Sequence, residues 1–196
     1  MHAECRRHPY VAFDPATSAL VLFDMQCDVL EPGGFAAALG HDVGRLRPAI
    51  APSGQVLRAC RAAGMLAVHA REGHRPDLSD PAPAKRVRGR FPAGIGDPDP
   101  MGRILMRSQP GHDIVRKPAP AAGGPVAHNP GEGAFYATDQ AMLRSRGIAW
   151  LIVCGVATEV CINITVREAD DRGSTASCWR TAPARISPNS SRPGLR

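Results

Sequence analysis

The stretch IVCGVATEVCINITVREADDRG, residues 152–173, holds a cysteine where a reactive thiol would be placed. An apolar strand runs into a small-residue turn, and Cys161 falls in the first turn of an amphipathic helix. A helix N-terminus carries roughly half a positive charge and several unpaired N–H groups, which lower a thiol's pKa and can hold an oxyanion. Taken alone, such a cysteine is more often a buried packing residue, because free Cys is among the most buried residue types. The surrounding chain decides between the two readings.

The elements that would position Cys161 are readable from periodicity. Residues 19–23 (ALVLF) form a continuous apolar run ending at Asp24, as a strand buried on both faces should. Ile50, Val56, Leu57, Cys60 and Ala63 share one helical face, with Gly64 as a stop signal. MLAVHA (65–70) reads as a second strand, and AWLIVC (149–154) as a third. Residues 71–133 are rich in Gly, Pro and Arg and read as long loops, with a short strand at 111–115. Thr138–Arg146 is expected to be a helix closed by Gly147. Strands alternating with helices imply an α/β fold, a parallel sheet with helices on both faces. Ligands bind beyond the carboxyl ends of such strands, the edge that carries Asp24 and the 155–161 turn.

Composition narrows the function classes. The 196 residues suit one domain with a sizeable core. No apolar run reaches the roughly 18–20 residues needed to span a membrane, and the N-terminus lacks the apolar core of a signal peptide, so a cytoplasmic protein is expected. The six cysteines include no CxxC pair and read as free thiols. The net charge of +6 hints at nucleic acid, but Arg180, Arg185, Arg192 and Arg196 supply most of it from a segment without acids. The cluster Lys85, Arg86, Arg88 and Arg90 has only Phe91 as an aromatic neighbour and reads as a solvated basic loop. Neither a nucleic-acid nor a membrane partner is expected.

Five ordered blocks resemble the isochorismatase-like cysteine hydrolases: LVLFDMQCDVL (20–30), HAREGHRPDLSDPAPAK (69–85), PMGRILMRSQPGHDI (100–114), PGEGAFYATDQAMLRSRGI (130–148) and VCGVATEVCINITVREADDRG (153–173). The middle blocks look most like the biuret and ureidoacrylate amidohydrolase branch, which cleaves C–N bonds of small urea-like amides. The resemblance implies a doubly covered parallel sheet, a nucleophile at Cys161 and a base at Asp24. It also implies a cis peptide at Val156–Ala157, with backbone N–H groups near Val156, Ala157 and Cys161 holding the oxyanion. The chemistry is coherent on its own: a thiolate attacks the amide carbonyl, and a carboxylate takes the thiol proton and passes it to departing ammonia. No metal or organic cofactor is implied, and the expected partner is a small amide.

At one position the sequence departs from the family. The lysine expected before the proline of the PGEGAF block is Asn129, which can donate a hydrogen bond but supplies no cation. Lys117, before its own proline, is the alternative source. A missing lysine admits a second function class, an impaired relative that only binds a ligand or partner; an isochorismate-type hydrolase is a third. Gln26 is a candidate to orient Asp24 or the substrate, or simply a helix-start hydrogen-bonder. Phe35, Phe135 and Tyr136 are candidate pocket walls, with core packing as the alternative. Glu159 complements a helix start. His69 and His74 with Asp77 and Asp80 read as pocket or loop residues rather than metal ligands, and Cys27 and Cys154 as packing residues.

Beyond Gly173 the pattern changes. Residues 174–196 are rich in Ser, Arg and Pro and show no strand signal. Joining the last base of each codon to the first two of the next allows the reading VDCLVLEDCTGSYFPEFQ, an apolar strand followed by acidic and turn residues. A hydrolase domain over 1–173 with a non-native or disordered tail, produced by a frameshift, is therefore expected. The last strand and helix would be missing, and a native C-terminus would support a homo-oligomer.

Overall fold

The computed structural model describes residues 2–3, 11–87, 93–136, 138 and 141–178. Its centre is a five-stranded, all-parallel sheet: β1 Ser18–Phe23, β2 Leu66–Glu72, β3 Val126–Asn129, β4 Trp150–Gly155 and β5 Thr175–Cys178. The strand order is β3-β2-β1-β4-β5. All six residues of β1 are buried, as its unbroken apolar run requires of a central strand.

Alternation along β1 divides the core in two. Leu20 and Leu22 face one layer, where Leu57 and Cys60 of helix α1 (Ile50–Ala62) pack with Leu46, Met65, Ile152 and Cys154. Ala19, Val21 and Phe23 face the other, with Leu143, Val153, Ile162 and Ala169. Three further helices are α2 (Pro83–Val87), α3 (Ala141–Ser145) and α4 (Asn163–Asp171). The chain stops at Gly64, Gly147 and Gly173 all take positive φ. Among the described residues no helix is long and apolar enough to cross a membrane.

Three expectations are corrected. Residues 111–115 are not a strand: a short turn covers Pro110–His112, and Ile114 makes only an isolated bridge to Gln26. The sheet edge is instead β3, a four-residue strand inside the stretch read as loop. The segment after Gly173 does form a strand, paired with β4 from Trp150–Thr175 to Val153–Cys178. Edge pairing is made by backbone groups, so small polar residues suffice, and Ala176 packs against the second core layer. The sheet therefore has a fifth strand where a bare edge was expected. Residues 179–196, with Arg180, Arg185, Arg192 and Arg196, lie outside the described residues, as do Arg88, Arg90 and Phe91.

Candidate active site

β1 ends at Phe23 and hands the chain to Asp24, whose φ of +46° lies in the left-handed region. A non-glycine residue stays there only when its surroundings enforce it. The Asp24 N–H donates to the Ala70 carbonyl at 2.9 Å, and Asp24 Oδ1 accepts the Glu72 N–H at 3.0 Å. On the other flank β4 runs into Val156, whose N–H reaches the Phe23 carbonyl at 3.2 Å, and the Val156–Ala157 peptide is cis. A single π-turn, Thr158–Ile162, then precedes α4 and carries Cys161. The Cys161 thiol and the Asp24 carboxylate act on each other, each shifting the other's hold on its proton.

Burial dominates the electrostatics. Asp24 is 4% exposed and Cys161 7%. Loss of water, reinforced by the Glu72 charge, pushes the Asp24 carboxyl up to about 7. The thiol is pushed well above its usual range by burial and by the charges of Asp24 and Glu72. This corrects the expectation of a thiol acidified by its helix start: a desolvated sulfur facing carboxylates outweighs the partial charge of a helix end. The resting pair above neutral pH is a neutral thiol against an ionised carboxylate. Proton transfer must accompany attack.

A second correction concerns the cation. Lys85, expected on a solvated loop, sits on α2 with its side chain 13% exposed. Its Nζ lies 2.9 Å from Glu72 Oε1 and donates to the Pro130 carbonyl at 3.1 Å. Burial opposes ionisation of Glu72, yet His74 and Lys85 together hold its carboxyl below the ordinary range. His74 Nε2 stands 3.6 Å from the same oxygen, with Asp80 on its other nitrogen at 3.5 Å and Arg107 on Asp80 at 3.1 Å. Asn129 is fully buried at the end of β3, in register with Glu72, and neither side-chain polar atom has a hydrogen-bond partner. Lys117 is exposed, in a loop tied to α1 by Arg61 and the Ala119 carbonyl. Lys85 and Glu72 were missed in the sequence because their pairing crosses from a strand end to a separate helix, with no local spacing to announce it.

The remaining candidates separate. Gln26 is buried and donates from Nε2 to the Glu72 carbonyl at 2.9 Å, so it braces the strand end that holds Asp24 rather than capping its helix. Phe35 opens the one-turn helix Phe35–Ala38. Phe135 packs on the second core layer under the Arg172 guanidinium, 5.3 Å from the ring centroid, while Tyr136 is 55% exposed. Glu159 lies in the first turn of the Cys161 segment. Cys27 and Cys154 belong to the first core layer. His69 Nε2 meets the Pro118 carbonyl at 3.0 Å, and Asp77 accepts the Ser79 N–H. Among the described residues no group of three or more His, Cys, Asp or Glu could hold a metal ion.

Two histidines near the site bear on stability. His112 and His128 stack with ring centroids 5.3 Å apart. Burial, then the Arg71 charge, depresses His112 to about 3 and His128 to about 4. The unfolded chain, with histidines near the ordinary 6.5, takes up these protons first as pH falls. Their contribution is complete above that value and drains away towards the folded values. His128→Gln is therefore expected to flatten the acid side of a melting-temperature profile; parallel acid limbs in the two proteins would contradict this.

The fold and this site together define an α/β protein of the thiol-hydrolase class. The Isochorismatase domain model matches residues 18–191, and the chain belongs to the isochorismatase family. Among solved structures it is similar to a cysteine hydrolase from Pseudomonas syringae pv. phaseolicola 1448A, at 27% identity and a TM-score of 0.74, covering 94% of this chain and 81% of that one. It is similar to the pyrazinamidase of Pyrococcus horikoshii at 25% identity and a TM-score of 0.62, covering 88% of each. N-carbamoylsarcosine amidase from Thermoplasma acidophilum shares the fold at 23% identity and a TM-score of 0.67, covering 88% of this chain and 87% of that one.

Proposed function

We propose that the protein hydrolyses a C–N bond of a small amide or ureido compound, of the biuret or ureidoacrylate kind, through a cysteinyl thioester. The observation that carries this is the buried Asp24 carboxylate coupled to the buried Cys161 thiol where β1 and β4 end side by side. Asp24 takes the proton from Sγ as sulfur attacks the carbonyl carbon. The tetrahedral oxyanion collapses with loss of ammonia, which leaves with the proton that Asp24 returns. Asp24 then removes a proton from water, hydroxide adds to the thioester, and the acid departs as the thiol is restored. The Val156 N–H, expected at the oxyanion, is taken by the Phe23 carbonyl, so the backbone N–H groups of Ala157 and Cys161 are assigned to the oxyanion, a contribution of roughly 3–4 kcal/mol per donor. The chemistry named for the pyrazinamidase, an amide hydrolysis, supports the same bond class.

Ammonia release from biuret and ureidoacrylate-like amides tests the reading. Wild type is expected to turn over, and Cys161→Ala to lose at least about 10³-fold, as loss of a covalent nucleophile does. Turnover that survives Cys161→Ala overturns the mechanism. The second reading, a non-catalytic relative that binds ligand only, is favoured by Asn129 standing where the family places lysine. Folded wild type that releases no ammonia from any of these amides while binding one of them supports it.

A further inference from the structure

We propose that Lys85, delivered by α2 from outside the sheet, is the cation that acts on the Asp24–Cys161 pair in place of a lysine at position 129. The inference rests on the proposed thiol chemistry but is tested without turnover.

Charge balance makes a cation necessary. Asp24, Glu72 and Glu132 all act on the Cys161 sulfur, and each disfavours negative charge on it. Attack moves the negative charge of Asp24 through the sulfur onto the substrate oxygen, which stays in the same enclosure as Glu72 and Glu132. With no compensating charge, a thiolate beside Glu72 and Glu132 in a desolvated site is strongly opposed even after Asp24 has taken the proton. Lys85 supplies that charge: its attraction is felt at Asp24 itself, where it favours the ionised form needed to accept the proton.

Its placement is specific. The ammonium hydrogen-bonds the carbonyl of Pro130, the residue directly after Asn129, and pairs with Glu72, the register partner of Asn129 on β2. A cation therefore stands beside position 129 although its side chain originates more than forty residues earlier in the chain. Lys85 and Glu72 are both largely buried, at 13% and 15% side-chain exposure. A buried ion pair is weak evidence for stability, since desolvation offsets much of its attraction. Buried Asn129 carries an amide with no hydrogen-bond partner, so position 129 is polar but uncharged beside the Lys85 ammonium. The charged groups facing this sulfur are thus Asp24, Glu72 and Glu132, while Lys85 acts on Asp24 and Glu72 and His74 stands on the far side of Glu72.

The experiment follows alkylation of Cys161 by iodoacetamide, itself a small amide, in the full-length protein. The thiolate sulfur displaces iodide from the methylene carbon, so the rate reports the thiolate fraction. The peptide carrying Cys161 is quantified separately from those carrying the other cysteines, across pH, beside melting curves. Lys85→Met is expected to slow labelling at neutral pH by roughly 10–100-fold and to move the pH–rate curve to higher pH, with the fold retained. Lys85→Arg, which keeps the charge, is expected to recover most of the wild-type rate. Equal rates in wild type and Lys85→Met overturn the proposal. So does an arginine variant as slow as the methionine one, which would assign Lys85 a packing role, or a wild type whose Cys161 takes no label.

The two proposals fail separately. Charge-dependent labelling without ammonia release removes the amide substrate and leaves the cation. Cys161-dependent ammonia release that is indifferent to Lys85→Met removes the cation and leaves the substrate.

Discussion

Asp24→Asn is expected to lower kcat/KM for amide hydrolysis by roughly 10²–10⁴-fold and to abolish its rise with pH near neutrality. The wild-type rise reflects ionisation of a carboxyl that burial and Glu72 push up to about 7. Asparagine suits the test because it tolerates the left-handed backbone and still offers Oδ1 to the Glu72 N–H. It cannot accept the thiol proton. Stability should move the other way. The folded carboxyl holds its proton more tightly than an unfolded one near 3.8, so its contribution is present in acid and is lost as pH rises towards 7. Asparagine has no charge to bury, and the variant's melting temperature should gain on the wild type between those values. Activity within about threefold of wild type at alkaline pH would remove Asp24 from the proton path.

The second large effect is structural. Gly155 ends β4 with φ +121°, and a Cβ there would lie 2.1 Å from the Phe23 carbonyl oxygen and 2.7 Å from the Phe23 nitrogen. Both obstacles are backbone of the central strand, which cannot swing aside as a side chain can. Gly155→Ala must therefore part β1 from β4 just before Asp24 and Val156. A loss of roughly 2–5 kcal/mol follows from the strained φ and the overpacking together. For a domain of this size that is a melting temperature lower by roughly 5–15 °C. Activity should fall further than stability alone explains, because the separation opens between the carboxylate and the turn that carries the thiol. A variant that melts with the wild type would show that the two strands can move apart freely.

What could be read from the chain follows from how each element is stabilised. β1, β2 and β4 announce themselves because strands covered on both faces must be apolar at nearly every position. β3, with the sequence VAHN, and β5, with TASC, sit at the two sheet edges, where backbone pairing does the holding and side-chain pattern carries little signal. The placement of Asp24 and Cys161 was legible for the same reason: Asp24 follows β1 directly, and Cys161 stands in the turn segment that follows β4. The cation was not, because Lys85 looks like its basic neighbours until the fold brings Glu72 and Pro130 beside it. The thiol's electrostatics were misjudged from the helix start alone, since desolvation depends on everything packed around the sulfur.

Glu72 joins these threads in one residue. Its N–H fixes Asp24, its carbonyl holds Gln26, and its carboxylate gathers Lys85 and His74. The first two grips use main chain and the last uses side chain, so they are mechanically independent. Substitution at this position would therefore release the charge arm of the site while leaving its geometric arm clamped. Posture and polarity of the site are inherited from one residue but need not drift together.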